Sequence, residues 1–232
     1  MWLNTIKLSD LLFLVIIGLN FITEPSRSFP APSLYKQGGI DAKFVKDNFY
    51  PESSTDNIWT RKIDLNNDKI PEILVVNSNR KWCGSAGCAT SVYSYLNGKW
   101  REVLSFTGNG VTERNTTTRG WKDLSASPNE RINPVWVFNG EKYNVGYLLD
   151  TKHNLKINPQ DSSANIVRAT NAFDGAGTNY PVRQKLTNNQ SIFLHGFVKT
   201  RSGQIWYVGY ASEADRYNPF YVEKSNIQIN LE

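Results

Sequence analysis

From residue 59 onward the chain is cut into short runs whose apolar residues alternate, each bounded by Asn, Gly or Asp: 59–65, 72–77, 90–96, 100–107, 111–115, 121–125 and 134–138. A period of two places the apolar side chains on one face of a strand. The separators Asn97-Gly98, Gly108-Asn109-Gly110 and Asn139-Gly140 suit tight hairpins, because Asn and Gly tolerate left-handed backbone. No segment keeps a 3.6-residue period long enough to specify a helix, and 41–49 allows only one or two helical turns. The pattern predicts a mainly β protein, with an antiparallel, sheet-rich domain over 44–147.

A second set of short runs follows at 165–168, 182–186, 190–198, 204–210 and 220–229. Five strands in about seventy residues is the spacing of a small β-barrel. The barrel is expected over 162–232. Residues 148–161 are polar, contain a proline and lack aromatics, and read as a linker between the two modules.

Forty per cent hydrophobic residues against 20% charged describe a chain with enough apolar material for a core and exclude a disordered one. The net charge of +5 is dispersed, with no run of four basic residues. That argues against nucleic acid and leans no further than an acidic partner such as an anionic wall polymer. Residues 11–22 (LLFLVIIGLNFI) form an apolar run with Lys7 upstream and small or turn residues after it. The run is shorter than the roughly 20 residues that span a bilayer and suits the core of a secretory signal. Residues 1–31 are therefore expected to be a signal peptide, with an uncleaved N-terminal anchor as the alternative, and 32–43 a linker. The protein is placed in the periplasm or outside the cell, and it touches membrane only if that segment is uncleaved. Cys83 and Cys88 then lie in an oxidising compartment, where they are the one intramolecular pair available. A disulfide between them would shape the loop 84–87. Redox motifs commonly space cysteines by two residues, and a structural zinc site needs more ligands than the chain offers.

Between the first two strands, Asp64, Asn66 and Asp68 alternate at positions one, three and five of a loop, with the Ile70 carbonyl at seven and Glu72 at nine. Oxygens converging from one turn are what a hard cation such as Ca²⁺ requires. The stretch resembles the calcium loop of FG-GAP repeats, but has Asn67 and Lys69 where those loops carry glycine. Lys69 would strain a left-handed position. The competing arrangement is a hairpin whose Asp and Asn side chains bond backbone amides. One copy of the loop excludes a propeller of repeats. Carboxylates in one polar turn are solvated, with nothing apolar enough beside them to raise a pKa for acid–base work. His153 and His195 fall in different modules; the first reads as exposed and the second as structural. The wider frame, through Cys83-Gly84-Ser85-Ala86-Gly87-Cys88, Gly98-Lys99-Trp100 and Gly120-Trp121-Lys122-Asp123-Leu124, resembles exported bacterial proteins of uncertain function.

The C-terminal third resembles the bacterial SH3-like domain (SH3b) in four ordered blocks. They are Asn165-Ile166-Val167-Arg168, the Gly-rich 175–182, Trp206-Tyr207-Val208 and Phe220-Tyr221-Val222. Residues 171–174 and 212–219 lengthen the pattern. The resemblance implies binding of cell-wall peptide through a groove beside the Gly-rich loop. Tyr180, Trp206, Tyr207, Tyr217 and Tyr221 are the candidate contact residues, and Tyr180 is the one expected to be most exposed. Strand alternation sends Trp206 and Tyr207 to opposite faces, so about half of these rings would instead fill the barrel. The sequence thus points to a non-catalytic envelope protein binding wall peptide or glycan, or engaging an envelope protein. The alternative is a wall-acting hydrolase using the acidic cluster, or an inhibitor of a lysozyme-type hydrolase using the Cys83–Cys88 loop.

Overall fold

The computed structural model describes residues 35–126, 131–216 and 218–230. The expected signal peptide and Tyr217 lie outside these residues. The fold is mainly β and every strand pairing is antiparallel.

The first sheet comprises β1 (Lys36–Gln37), β2 (Ile58–Ile63), β3 (Glu72–Asn77), β4 (Cys83–Gly84), β5 (Gly87–Leu96) and β6 (Lys99–Gly108). Its order is β1-β2-β3-β5, with β4 and β6 both paired to β5. Helix α1 (Gly39–Phe49) covers one face, burying Ala42 and Val45 against Ile58, Ile73 and Val75. Asp41 in its first turn and Lys46 in its last complement the helix dipole, and Pro51 prevents its continuation. The part of the expected 32–43 linker that is described is thus β1 and the start of α1. Covered on both faces, β3 is buried throughout, which is why its sequence is a continuous apolar run.

The second sheet begins with β7 (Val111–Thr118), β8 (Trp121–Ala126), β9 (Ile132–Phe138) and β10 (Tyr143–Asp150). It continues through β11 (Leu155–Ile166), β12 (Thr170–Phe173), β13 (Val182–Leu186), β14 (Ser191–Lys199), β15 (Ile205–Tyr210), β16 (Phe220–Glu223) and β17 (Ile227–Asn230). Its order is β13-β12-β16-β15-β14-β11-β10-β9-β8-β7, with β17 also on β11. No closed barrel forms among the described residues. The first four strands pack on the first sheet as a sandwich whose core joins Leu74, Val76, Val92 and Leu104 to Trp121, Leu124, Trp136 and Phe138.

Residues 148–161, expected as a linker, are the end of β10 and the first half of β11. Their polar composition reflects a strand with much of its length facing solvent, while Ile157 is fully buried with Trp206, Val208 and Tyr221. That cluster continues the core across the stretch that the sequence reads as a boundary.

Candidate binding cleft

Three neighbouring strands bulge side by side where the sheet turns from the sandwich into the C-terminal half. On β10, Gly146 is the extra residue between the pairs Val145↔Trp136 and Tyr147↔Val135. On β11, Gln160 and Asp161 fall between Pro159↔Gly196 and Ser162↔Leu194, and the residue facing them is His195 of β14. His195 is in turn the extra residue of β14 against β15, between Leu194↔Gly209 and Gly196↔Val208. A bulge bends its strand and re-aims a side chain. Three in register fold the sheet into a concave cleft of about 550 Å³.

Glycine makes this bend possible. A Cβ on Gly196, whose φ is 153°, would overlap the Asn158 carbonyl oxygen, and one on Gly146 would meet the Val137 methyl groups.

Val145 and Leu148 of β10 and Ile132 and Pro134 of β9 supply the apolar wall. Gln160, Asp161, His195, Tyr210 and Arg216 form the polar side, and Ala86 of the disulfide loop with Thr107 of β6 closes one end. Tyr210 stacks on Phe193 at 5.3 Å and carries the His195 ring at 4.8 Å. The His195 Nε2–H donates to the Arg216 carbonyl oxygen at 3.0 Å, which fixes the tautomer and leaves Nδ1 without its proton. Burial pushes the imidazole pKa below its ordinary value, so His195 is neutral at pH 7. One acid, one guanidinium and a neutral imidazole can hold a polar ligand, with the Tyr210 ring, 6% exposed, as the floor beneath His195. They include no nucleophile paired with a base.

The chain matches no protein family, no curated protein and no solved structure.

The acidic loop is built from its own amides. Asp64 accepts from the N–H groups of Asn67 (2.6 Å) and Lys69 (2.9 Å), Asn66 from Asp68 (3.0 Å), and Asp68 from Ile70 (2.7 Å). Asn67 and Lys69 both adopt left-handed backbone, with φ of 63° and 69°. Among the described residues no group of three or more His, Cys, Asp or Glu side chains converges to hold a metal ion. The Ile70 side chain is exposed, while Glu72 is 1% exposed and turns inward, accepting from the Leu65 N–H (2.7 Å) and the Ser94 hydroxyl (2.9 Å). Burial pushes the Glu72 carboxyl above its ordinary pKa, against the expectation of a fully solvated cluster.

Cys83 and Cys88 are joined by a disulfide across β4 and β5, and residues 84–86 project into solvent. The bond fits an oxidising compartment. Among the described residues no helix is long and apolar enough to cross a membrane.

Of the aromatic candidates, Trp206, Tyr207 and Tyr221 are 2%, 6% and 0% exposed and pack within the core. Tyr180 is half-buried: its ring lies over Gly175 and meets the His153 ring edge-on at 5.0 Å. His153, expected to be exposed, belongs to a buried ion network. The fully buried Asp150 accepts from Tyr221 Oη (2.5 Å), Arg131 Nη2 (3.1 Å) and His153 Nδ1 (3.1 Å). Asp174 accepts from Arg131 Nη1 (2.8 Å), Arg183 Nη1 (3.0 Å) and Lys152 Nζ (2.5 Å). Burial alone would raise both carboxyls; the surrounding donors more than offset it, lowering Asp150 and taking Asp174 down to about 2. With its oxygens saturated, the cluster joins strands and offers nothing to a substrate.

The cleft residues Val145, Asp161, Tyr210 and Arg216 do not stand out in the sequence. The available signal was isolated glycine inside strand patterns, at Gly146, Gly196 and Gly209, which marks bulges and close backbone approach.

Proposed function

We propose that the protein is an exported, non-catalytic cell-envelope protein whose C-terminal half, an SH3-like unit, binds cell-wall peptide or glycan in the bulge-lined cleft. The observation that carries this reading is the cleft itself, in which Asp161, Arg216, the neutral His195 and stacked Tyr210 line one concave surface without a catalytic pair. The SH3-like reading is supported by where the resembling blocks fall. Ile166 ends β11, Trp206-Tyr207-Val208 lies in β15, Tyr221-Val222 lies in β16, and the Gly-rich stretch joins β12 to β13.

Cosedimentation with insoluble peptidoglycan sacculi tests the proposal. The full chain is expected in the pellet, and Arg216→Ala, which removes an exposed charge of the cleft, should weaken binding roughly five- to thirtyfold, as loss of one contact residue does. A chain that stays in the supernatant overturns the reading.

The exposed, disulfide-closed loop 84–86 favours a second reading, inhibition of a wall hydrolase by insertion of that loop. Adding lysozyme to the same sacculi separates the two: suppressed lysis that returns in Cys83→Ser/Cys88→Ser would favour inhibition.

A further inference from the structure

The cleft opens onto a strand edge that has lost its neighbour. β11 pairs with β10 from Asp150↔Leu155 to Leu148↔Ile157, then crosses to β14 from Asn158 onward. Among the described residues no strand pairs with β10 on that side at Tyr143, Asn144 or Val145. Bonding alternates along an antiparallel ladder. The Asn139 N–H bonds the Lys142 carbonyl at 3.0 Å, so Asn144 exchanges bonds with Val137, and Val145 turns its N–H and C=O toward the side that β11 has left. Its side chain is 47% exposed.

A groove of about 370 Å³ continues from there between β10 and the outer edge of β6, lined by Val145, Val103, Leu104 and Ser105, with Glu102 and Lys142 also on its walls. Val145 lines both the groove and the cleft. The opposite seam of the sandwich is sealed by Arg61 to Glu113 at 2.7 Å, the Tyr35 hydroxyl to the Val111 carbonyl at 3.2 Å, and the Lys122 N–H to the Leu65 carbonyl at 2.8 Å. Free edges are commonly blunted by charge. On β6 the charges Lys99, Arg101 and Glu102 sit at its start, and residues 103–108 carry none.

We infer that the ligand of the cleft is a peptide in extended form, which continues the β10 ladder where β11 leaves it and exchanges backbone hydrogen bonds with Val145. The inference rests on the wall-binding reading above and narrows its ligand from peptide or glycan to peptide. A strand edge presents donors and acceptors at the repeat of another peptide backbone, which a sugar chain does not reproduce. At the far end the Asp161 carboxylate and the Arg216 guanidinium, the latter 3.8 Å from Glu213, face the charged groups of that peptide.

The test uses the full chain and sacculi split by an amidase into a soluble peptide fraction and glycan strands, each offered as competitor for intact sacculi. The peptide fraction should displace the protein and the glycan strands should not. Val145→Pro removes an N–H that faces away from β9 together with the valine side chain, so the sheet should hold while binding falls at least tenfold, whereas Val145→Ala, which keeps the N–H, should bind within a fewfold of the unmodified chain. Should the proline variant not fold, amide exchange on the unmodified chain decides: the peptide fraction should slow exchange at Val145 severalfold. Displacement by glycan alone, a folded Val145→Pro that binds as before, or unchanged exchange at Val145 with peptide bound overturns the inference. Each of those outcomes leaves the wall-binding reading standing, because the unmodified chain still pellets; failure of that chain to pellet removes both.

Discussion

Lys69 holds a left-handed conformation without being glycine, and it does so because the Asp64 and Asp68 carboxylates fix the amides on either side. A β-carbon in that region costs roughly 1 kcal/mol. Lys69→Gly is therefore expected to leave the fold intact and to raise stability by up to about 1 kcal/mol, read as a higher urea midpoint; a loss would show that the side chain is used elsewhere. The alternating acids were legible in the sequence, and so was the competition between cation and amides. Glu72 was not, because its burial depends on Ser94 of β5 and Leu65 meeting it across the sheet. Tyr180 gives the same lesson. Proline and glycine around it read as an exposed tip, yet the ring is seated on Gly175 and His153. Tyr180→Ala should thus lower the melting temperature by several degrees while sacculi binding stays unchanged. The reverse pattern would return the contact surface to the Gly-rich loop.

At the scale of elements, β1, β4 and β10 fell outside the runs and β3 registered as a short apolar run, but most strands of the sandwich were readable because their apolar residues alternate and a turn sequence follows. β11 was not. It contributes to two neighbours in succession, so its buried residues Ile157, Ala164 and Ile166 are widely spaced among polar ones. Helix α1 was visible only as one or two helical turns over 41–49: it is eleven residues long and buries only Ala42 and Val45 fully, too short a record for a period to register. The cleft was the least legible feature, since a bulge is a mismatch between partners and is not written in either strand alone. Its glycines make it testable. Gly196→Ala would bring a methyl group onto the Asn158 carbonyl from a backbone with φ of 153°, and should destabilise the protein by at least about 2 kcal/mol in chemical denaturation. Gly203→Ala, in a turn with open space around it, is the control, with only the backbone cost of its φ of 86°. Equal losses in the two would place the strain elsewhere.

Across the whole molecule, the sandwich and the C-terminal half are held together by the continuous sheet and by one ion network. Arg131, at the start of β9, reaches Asp150 at the end of β10, Asp174 just beyond β12, and the Pro219 carbonyl just before β16. Removing the guanidinium would leave Asp150 buried and uncompensated, so Arg131→Met should cost about 3–5 kcal/mol. The acid response has a defined sign. Both carboxyls have folded pKa values below their ordinary 3.8, with Asp174 at about 2. Below 3.8 the unfolded chain takes up protons that the folded chain refuses, so their stabilisation is complete above that value and drains away as pH falls toward 2. Thermal melts between pH 5 and 2 should therefore show a steep decline over the lower half of that range. In Asp174→Asn the decline should be shallower, the starting stability at pH 5 being already reduced. An unchanged slope in that variant would move the acid sensitivity to other carboxylates and leave the network a purely geometric tie.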